Sequence, residues 1–161
     1  MRREALFSRS GFYRFLLDTN ALMHREARAA ARRVLVELKA AAPGRALRVL
    51  DLACGGWPLS IAEAMGCCAD QCFDYTGVDI NPDQVESARS LFRFPESVIQ
   101  VRILEGNAWD LGPLGLEPGF DLVFSGLNLH HGTPEEIAFL ARELLRLLEP
   151  GGRFLSHDVY R

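Results

Sequence analysis

The sequence predicts an α/β domain with a parallel sheet, and three observations lead there. From Arg48 onward, apolar runs of strand length alternate with helical stretches, the rhythm of strand, helix, strand. Two helix starts are written out as a cap followed by proline and, three residues after the cap, an amide or acid: Asn81-Pro82 with Gln84, and Thr133-Pro134 with Glu136. A chain of 161 residues that is 48% hydrophobic and 24% charged has the material for one compact domain with a real core.

Residues 1–44 read as a helical segment preceding the sheet. Phe7, Phe12, Tyr13, Phe15, Leu16 and Leu17 form an aromatic-rich stretch that predicts a short helix lying against the body or over a site. From Arg25 to Ala42 the apolar residues Ala27, Ala31, Val34, Leu35, Leu38 and Ala42 make a stripe with arginines opposite, which predicts an amphipathic helix. Pro43 and Gly44 end it. Residues 45–161 then supply five strands, at Arg48 to Ala53, Tyr75 to Ile80, Val98 to Leu104, Phe120 to Ser125 and Arg153 to Ser156. The helix starting at Thr133 presents Ile137, Leu140, Ala141, Leu144, Leu145 and Leu148 to the sheet and stops at Pro150-Gly151-Gly152.

Charge is distributed unevenly. Residues 1–45 hold ten basic and four acidic side chains, whereas the remainder is acidic and brings the total to −3. An acidic body excludes a general nucleic-acid binder. No apolar run is long enough to span a bilayer and no secretory leader is legible at Met1-Arg2-Arg3, so a cytoplasmic protein is expected. Cys54, Cys67, Cys68 and Cys72 are too bunched for a disulfide framework and lack the CxxC pairs of zinc sites; reduced thiols and no metal are expected.

In an open parallel sheet, ligands bind beyond the carboxyl ends of the strands. The first such end is Asp51-Leu52-Ala53-Cys54-Gly55-Gly56-Trp57-Pro58, where small residues let a ligand approach the backbone. The GxGxxG fingerprint of dinucleotide sites is missing, which argues against a nucleotide-dependent oxidoreductase. Asp51 would repel a pyrophosphate and attract a cationic amine or sulfonium. At the second end, Asp79 has two readings: a carboxylate accepting from both hydroxyls of a ribose, or an acid stabilising a helix start. At the third, Asn107 either meets the edge of a base or is only a turn residue.

These segments together resemble the class I S-adenosylmethionine-dependent methyltransferases, from about residue 45 to the end of the sequence. Val49 to Gly56 is similar to that family's glycine-rich first motif, Gly77 to Ile80 to its ribose-binding acid, and Gly106 to Ala108 to its adenine-binding turn. Phe120 to His131 resembles its fourth-strand segment and Leu147 to Phe154 the turn into its fifth strand. The resemblance implies a Rossmann-like sheet in the order 3-2-1-4-5 and S-adenosylmethionine as cofactor. It implies that Asp51, Ala53 and Gly55 line the cofactor's methionine part, Asp79 its ribose, and Asn107 with Ala108 its adenine. Cys54, Gly56, Ile80 and Ser125 complete the implied cofactor set.

The sequence departs from the pattern at three places. The family usually has glycine where Ala53 and Trp57 stand, and an aspartate is commoner than Asn107. Trp57 either crowds the cofactor's tail or packs under the following helix. Relative to the family the sequence also stops before the last two strands: either it is a fragment without activity, or it is a short form whose fifth strand is an exposed edge through which a homodimer could pair.

Methyl transfer needs alignment of acceptor and methyl and sometimes removal of a proton. The candidate base is His130 or His131, just past the fourth strand, with core packing and helix capping as the competing role. His157, Asp158 and Tyr160 form a second polar group at the same edge. The function implied is methylation of a small-molecule acceptor, to which the aromatic N-terminal stretch points. A methyltransferase-like binding or regulatory protein without turnover is the alternative. No Asp/Asn-Pro-Pro-aromatic sequence follows the fourth strand, so nucleic-acid methylation is not expected.

Overall fold

A computed structural model of the protein describes residues 20, 23–56, 58–68 and 70–158. The expected aromatic helix before Asn20, the role of Trp57 and the placement of Tyr160 lie outside the described residues. The chain runs α1 (His24–Ala41), β1 (Leu47–Leu52), α2 (Leu59–Gly66), β2 (Phe73–Asp79), α3 (Pro82–Ser90), β3 (Val98–Glu105), β4 (Phe120–Gly126), α4 (Pro134–Leu147) and β5 (Leu148–His157). The sheet order is β3-β2-β1-β4-β5 with every pairing parallel, the order the sequence implied.

The strands of the centre are buried on both faces, which is why they read as continuous apolar runs rather than alternating ones. On one face α1, α2 and α3 pack over Leu47, Val49, Phe73, Tyr75, Leu122 and Phe124. On the other, α4 and the segment after β3 cover Leu50, Leu52, Val78, Phe120 and Val123. α1 buries Ala27, Ala31, Leu35 and Leu38, as its stripe predicts.

α4 corrects the reading of its stripe. Leu140, Leu144 and Leu147 are buried, whereas Ala141 is exposed, Ile137 is 39% exposed and Leu145 is 77% exposed. The cause is the absence of a loop after the helix. β5 begins at Leu148, directly behind Leu147, which pins Leu147 beneath the sheet and turns the i, i+4, i+7 face of Leu140 inward. β5 is accordingly longer than its apolar run. Phe120 pairs with Leu148 and Leu122 with Arg153, so Pro150-Gly151-Gly152 bulges out inside the strand rather than preceding it. Gly151 has φ of 88°, and a Cβ on Gly152 would lie 2.8 Å from the Phe120 carbonyl oxygen.

The capping box at Thr133 forms as written. The Thr133 hydroxyl accepts from the Glu136 N–H at 3.2 Å, and the Glu136 carboxylate accepts from the Thr133 N–H at 2.8 Å. Thr133→Ala is expected to cost about 1 kcal/mol, seen as a lowered midpoint in urea unfolding at unchanged slope.

Candidate active site

β1 sits between β2 and β4, so the direction of winding changes there and the carboxyl ends of these strands open onto one crevice. Leu52 is in register with Val78 and with Ser125, which brings the ends of β1, β2 and β4 side by side.

The loop after β1 is tied to β2 and α3 by three backbone donors. The Cys54 N–H donates to the Val78 carbonyl oxygen at 3.0 Å, the Gly55 N–H to Asp79 Oδ2 at 2.8 Å, and the Gly56 N–H to Gln84 Oε1 at 2.7 Å. Asp79 also accepts, through Oδ1, the Asn81 N–H at 2.9 Å. One carboxylate thereby fixes both the glycine loop and the start of α3. Asn81 caps α3 as expected, accepting from Asp83 and Gln84. Gln84 does not close the box; its side chain reaches the Gly56 N–H instead. Glycine at 56 is required by closeness, because a Cβ there would stand 2.9 Å from both Gln84 Oε1 and Ser87 Cβ.

Ala53 takes φ of 57°, the left-handed region that glycine occupies freely, at a strain of about 1 kcal/mol for alanine. Gly55 follows with φ of 63°. Beneath the loop lies a closed polar cluster. Asp51 is 3% exposed and accepts from the Tyr75 hydroxyl at 2.8 Å. Burial pushes the Asp51 carboxyl up to about 7; the Tyr75 hydrogen bond opposes this and the nearby Asp79 charge adds to it. Cys54 is buried, and burial raises its thiol well above the ordinary range, so it is no nucleophile.

The remaining predicted residues divide by exposure. Ile80, beside Asp79, is 67% exposed, a large apolar side chain left at the mouth of the crevice. Asn107 is exposed and its Oδ1 accepts from the Trp109 N–H at 3.0 Å, so it does shape the turn after β3. Ala108 is packed in the core with Leu50 and Val78, and Ser125 is fully buried, accepting from the Asn128 amide at 3.5 Å.

Past β4, a single 3₁₀ turn at Leu129–His131 carries both candidate histidines, with ring centroids 3.8 Å apart. Asp158, following β5, grips this turn. Its Oδ2 accepts the Leu129 N–H at 2.6 Å and the His130 N–H at 3.3 Å, and its Oδ1 lies 2.6 Å from His130 Nδ1. His157 packs edge-on against His24 at the start of α1, ring centroids 5.7 Å apart. Burial, and then the charge of His157, lower the pKa of His24.

A loop-linked acid at the end of β2, a glycine loop after β1 and this strand order agree with comparison to known proteins. Residues 49–152 match a family model described as a methyltransferase domain. The chain belongs to that family. It is 34% identical over 126 residues to an uncharacterised methyltransferase of Synechocystis sp., the alignment covering 78% of this chain and 52% of the relative. Among solved structures it is similar to the PH0226 protein from Pyrococcus horikoshii, with 28% identity, TM-score 0.53 and coverage of 77% of this chain and 54% of that one. It also resembles the glycopeptide N-methyltransferase MtfA, solved with sinefungin, at 20% identity and TM-score 0.60, covering 83% of this chain and 48% of that one. At that identity the second likeness speaks for the fold alone. The chain spans about half the length of these relatives.

Three residues that shape this candidate site escape a sequence reading or are underrated by it. Tyr75 reads as a strand aromatic and proves to hold Asp51. Gln84 reads as a cap partner and proves to hold the glycine loop. Asp158 reads as a minor polar residue, and only the pairing of β4 with β5 brings it to His130.

Proposed function

We propose that this methyltransferase domain binds S-adenosylmethionine across the ends of β1, β2 and β3 and methylates a small-molecule acceptor placed toward the ends of β4 and β5. The observation that carries the reading is the Asp79 carboxylate, 8% exposed, oriented by the Gly55 and Asn81 N–H groups and flanked by the exposed Ile80. Each carboxylate oxygen has a second lone pair with which to meet a ribose hydroxyl. Ile80, Asn107 and the backbone at Ala108 would take the adenine. Asp51 beneath Ala53, Cys54, Gly55 and Gly56 would provide the negative charge for a cationic methionine moiety, with Ser125 on the floor.

When bound, the cofactor would supply a methyl group made electrophilic by its sulfonium. The protein's part is to hold the acceptor in line and, where the acceptor atom carries a proton, to take it. His130, with the His131 ring tilted against it, is the proposed base. No helix among the described residues is long and apolar enough to cross a membrane, and all four cysteines are unpaired, which supports a cytoplasmic site of action. Among the described residues β5 is an edge of the sheet, and a homodimer would pair there.

Titration calorimetry of the chain with S-adenosylhomocysteine, and with NAD as control, tests the cofactor site without knowledge of the acceptor. Binding of the first alone, in the micromolar range, is the expected result. A folded sample that binds NAD, or binds neither, removes the reading.

A further inference from the structure

We propose that Asp158 is the positioning residue of the base: its buried carboxylate holds His130 as the Nδ1–H tautomer, so that Nε2 can accept a proton, and the acceptor served is a hydroxyl. This inference rests on the methyltransferase reading and goes beyond it in naming the orienting residue and the acceptor class.

The geometry separates two jobs within one carboxylate. Oδ2 accepts two backbone N–H groups, those of Leu129 and His130, and so fixes the 3₁₀ turn. Oδ1 lies 2.6 Å from the imidazole Nδ1. The Asp158 side chain is 0% exposed while that of His130 is 32% exposed, so the partner is dry and the ring reaches solvent. An ionised carboxylate can only accept, so it selects the tautomer whose proton is on Nδ1. A free imidazole has no such constraint. Nε2 is then left with a lone pair, and the imidazolium formed on taking a proton keeps a charge-assisted bond to Asp158.

A base held this way matters for one kind of acceptor. A neutral amine already has a nucleophilic lone pair, and a thiol ionises readily near neutral pH. A hydroxyl oxygen is weak until its proton begins to leave. In the proton step the acceptor O–H bond breaks, the bonding pair stays on oxygen, and the proton passes to Nε2; water later takes it from the imidazolium.

Asp158→Asn targets the second job. Its carbonyl oxygen can keep both backbone bonds, while its NH₂ replaces Oδ1 and must donate to Nδ1, forcing the proton to Nε2. Imidazole 15N shifts, with His130 assigned by the loss of its signals in His130→Gln, should show Nδ1–H in the native chain and Nε2–H in Asp158→Asn. An Nε2–H tautomer in the native chain overturns the proposal. Calorimetry should give Asp158→Asn the native affinity for S-adenosylhomocysteine; failure of the native chain to bind would instead count against the methyltransferase reading and leaves the tautomer result to be judged alone. With phenol, benzylamine and 2-mercaptoethanol offered as acceptors, transfer to phenol alone is expected, and Asp158→Asn should slow it roughly 10²–10⁴-fold. Transfer to the amine or thiol, or to none of the three by a chain that binds S-adenosylhomocysteine, overturns the hydroxyl assignment.

Discussion

Asp79→Ala should weaken S-adenosylhomocysteine binding about 30-fold or more, the equivalent of ~2 kcal/mol for lost ribose hydrogen bonds, and should also lower stability. The two effects have separate origins. Affinity falls because the carboxylate is the acceptor proposed for the ribose. Stability falls because the Gly55 and Asn81 N–H groups lose their partner in one step. Gly55 is half-buried and Asn81 exposed, so water can recover part of the loss and a cost of about 2 kcal/mol is expected rather than the sum of two fully buried orphans. Asp79→Asn keeps one oxygen to accept and should fall between. Calorimetry and urea unfolding on the same three proteins read both quantities. Unchanged affinity in Asp79→Ala would reduce Asp79 to a fastener between the loop and α3.

Much of this arrangement was legible because local chemistry and fold coincide. The caps at Asn81 and Thr133 are written in adjacent residues, and both form. The central strands, buried on both faces, announce themselves as apolar runs, and the order of a parallel sheet follows from the family resemblance. The legible part ends where two segments distant in sequence decide between equal local options. Gln84 satisfies the pattern of a capping box, yet the Gly56 N–H offers its carbonyl a better-placed donor. Leu145 belongs to the apolar stripe read for α4 and Leu147 does not, yet β5 starting at Leu148 buries Leu147 and leaves Leu145 exposed. The Pro-Gly-Gly that ordinarily stops a helix sits here inside a strand, because the bulge lets β5 rejoin β4 at Leu122. Asp158 is the strongest case: nothing near it in sequence distinguishes it, and its partners Leu129 and His130 come from the preceding strand's end.

Asp51→Asn should move stability and ligand affinity in opposite directions, with a pH dependence that identifies the cause. The carboxyl ordinarily titrates at 3.8 and in the folded chain at about 7, because burial disfavours its charge, against the pull of the Tyr75 hydroxyl. Between these two values the folded state retains a proton that the unfolded state has released. Stability contributed by this group is therefore greatest in acid, declines as pH rises from about 4 to 7, and stays low above. The cost at pH 8 is on the order of a few kcal/mol. Asparagine is nearly isosteric, still accepts from Tyr75, and never ionises. Asp51→Asn should thus melt higher than the native chain at pH 8 by several degrees, at about 2–4 °C per kcal/mol for a domain of this size, and the difference should close toward pH 4. Binding of a sulfonium or ammonium needs the charge that folding disfavours. The native chain's affinity for S-adenosylhomocysteine, whose methionine part keeps its ammonium, should therefore rise with pH through about 7, and the variant's should be weaker and flat there. A variant less stable at pH 8, or a difference independent of pH, would mean that Asp51 is held as a neutral hydrogen-bonding group and plays no electrostatic part in the site.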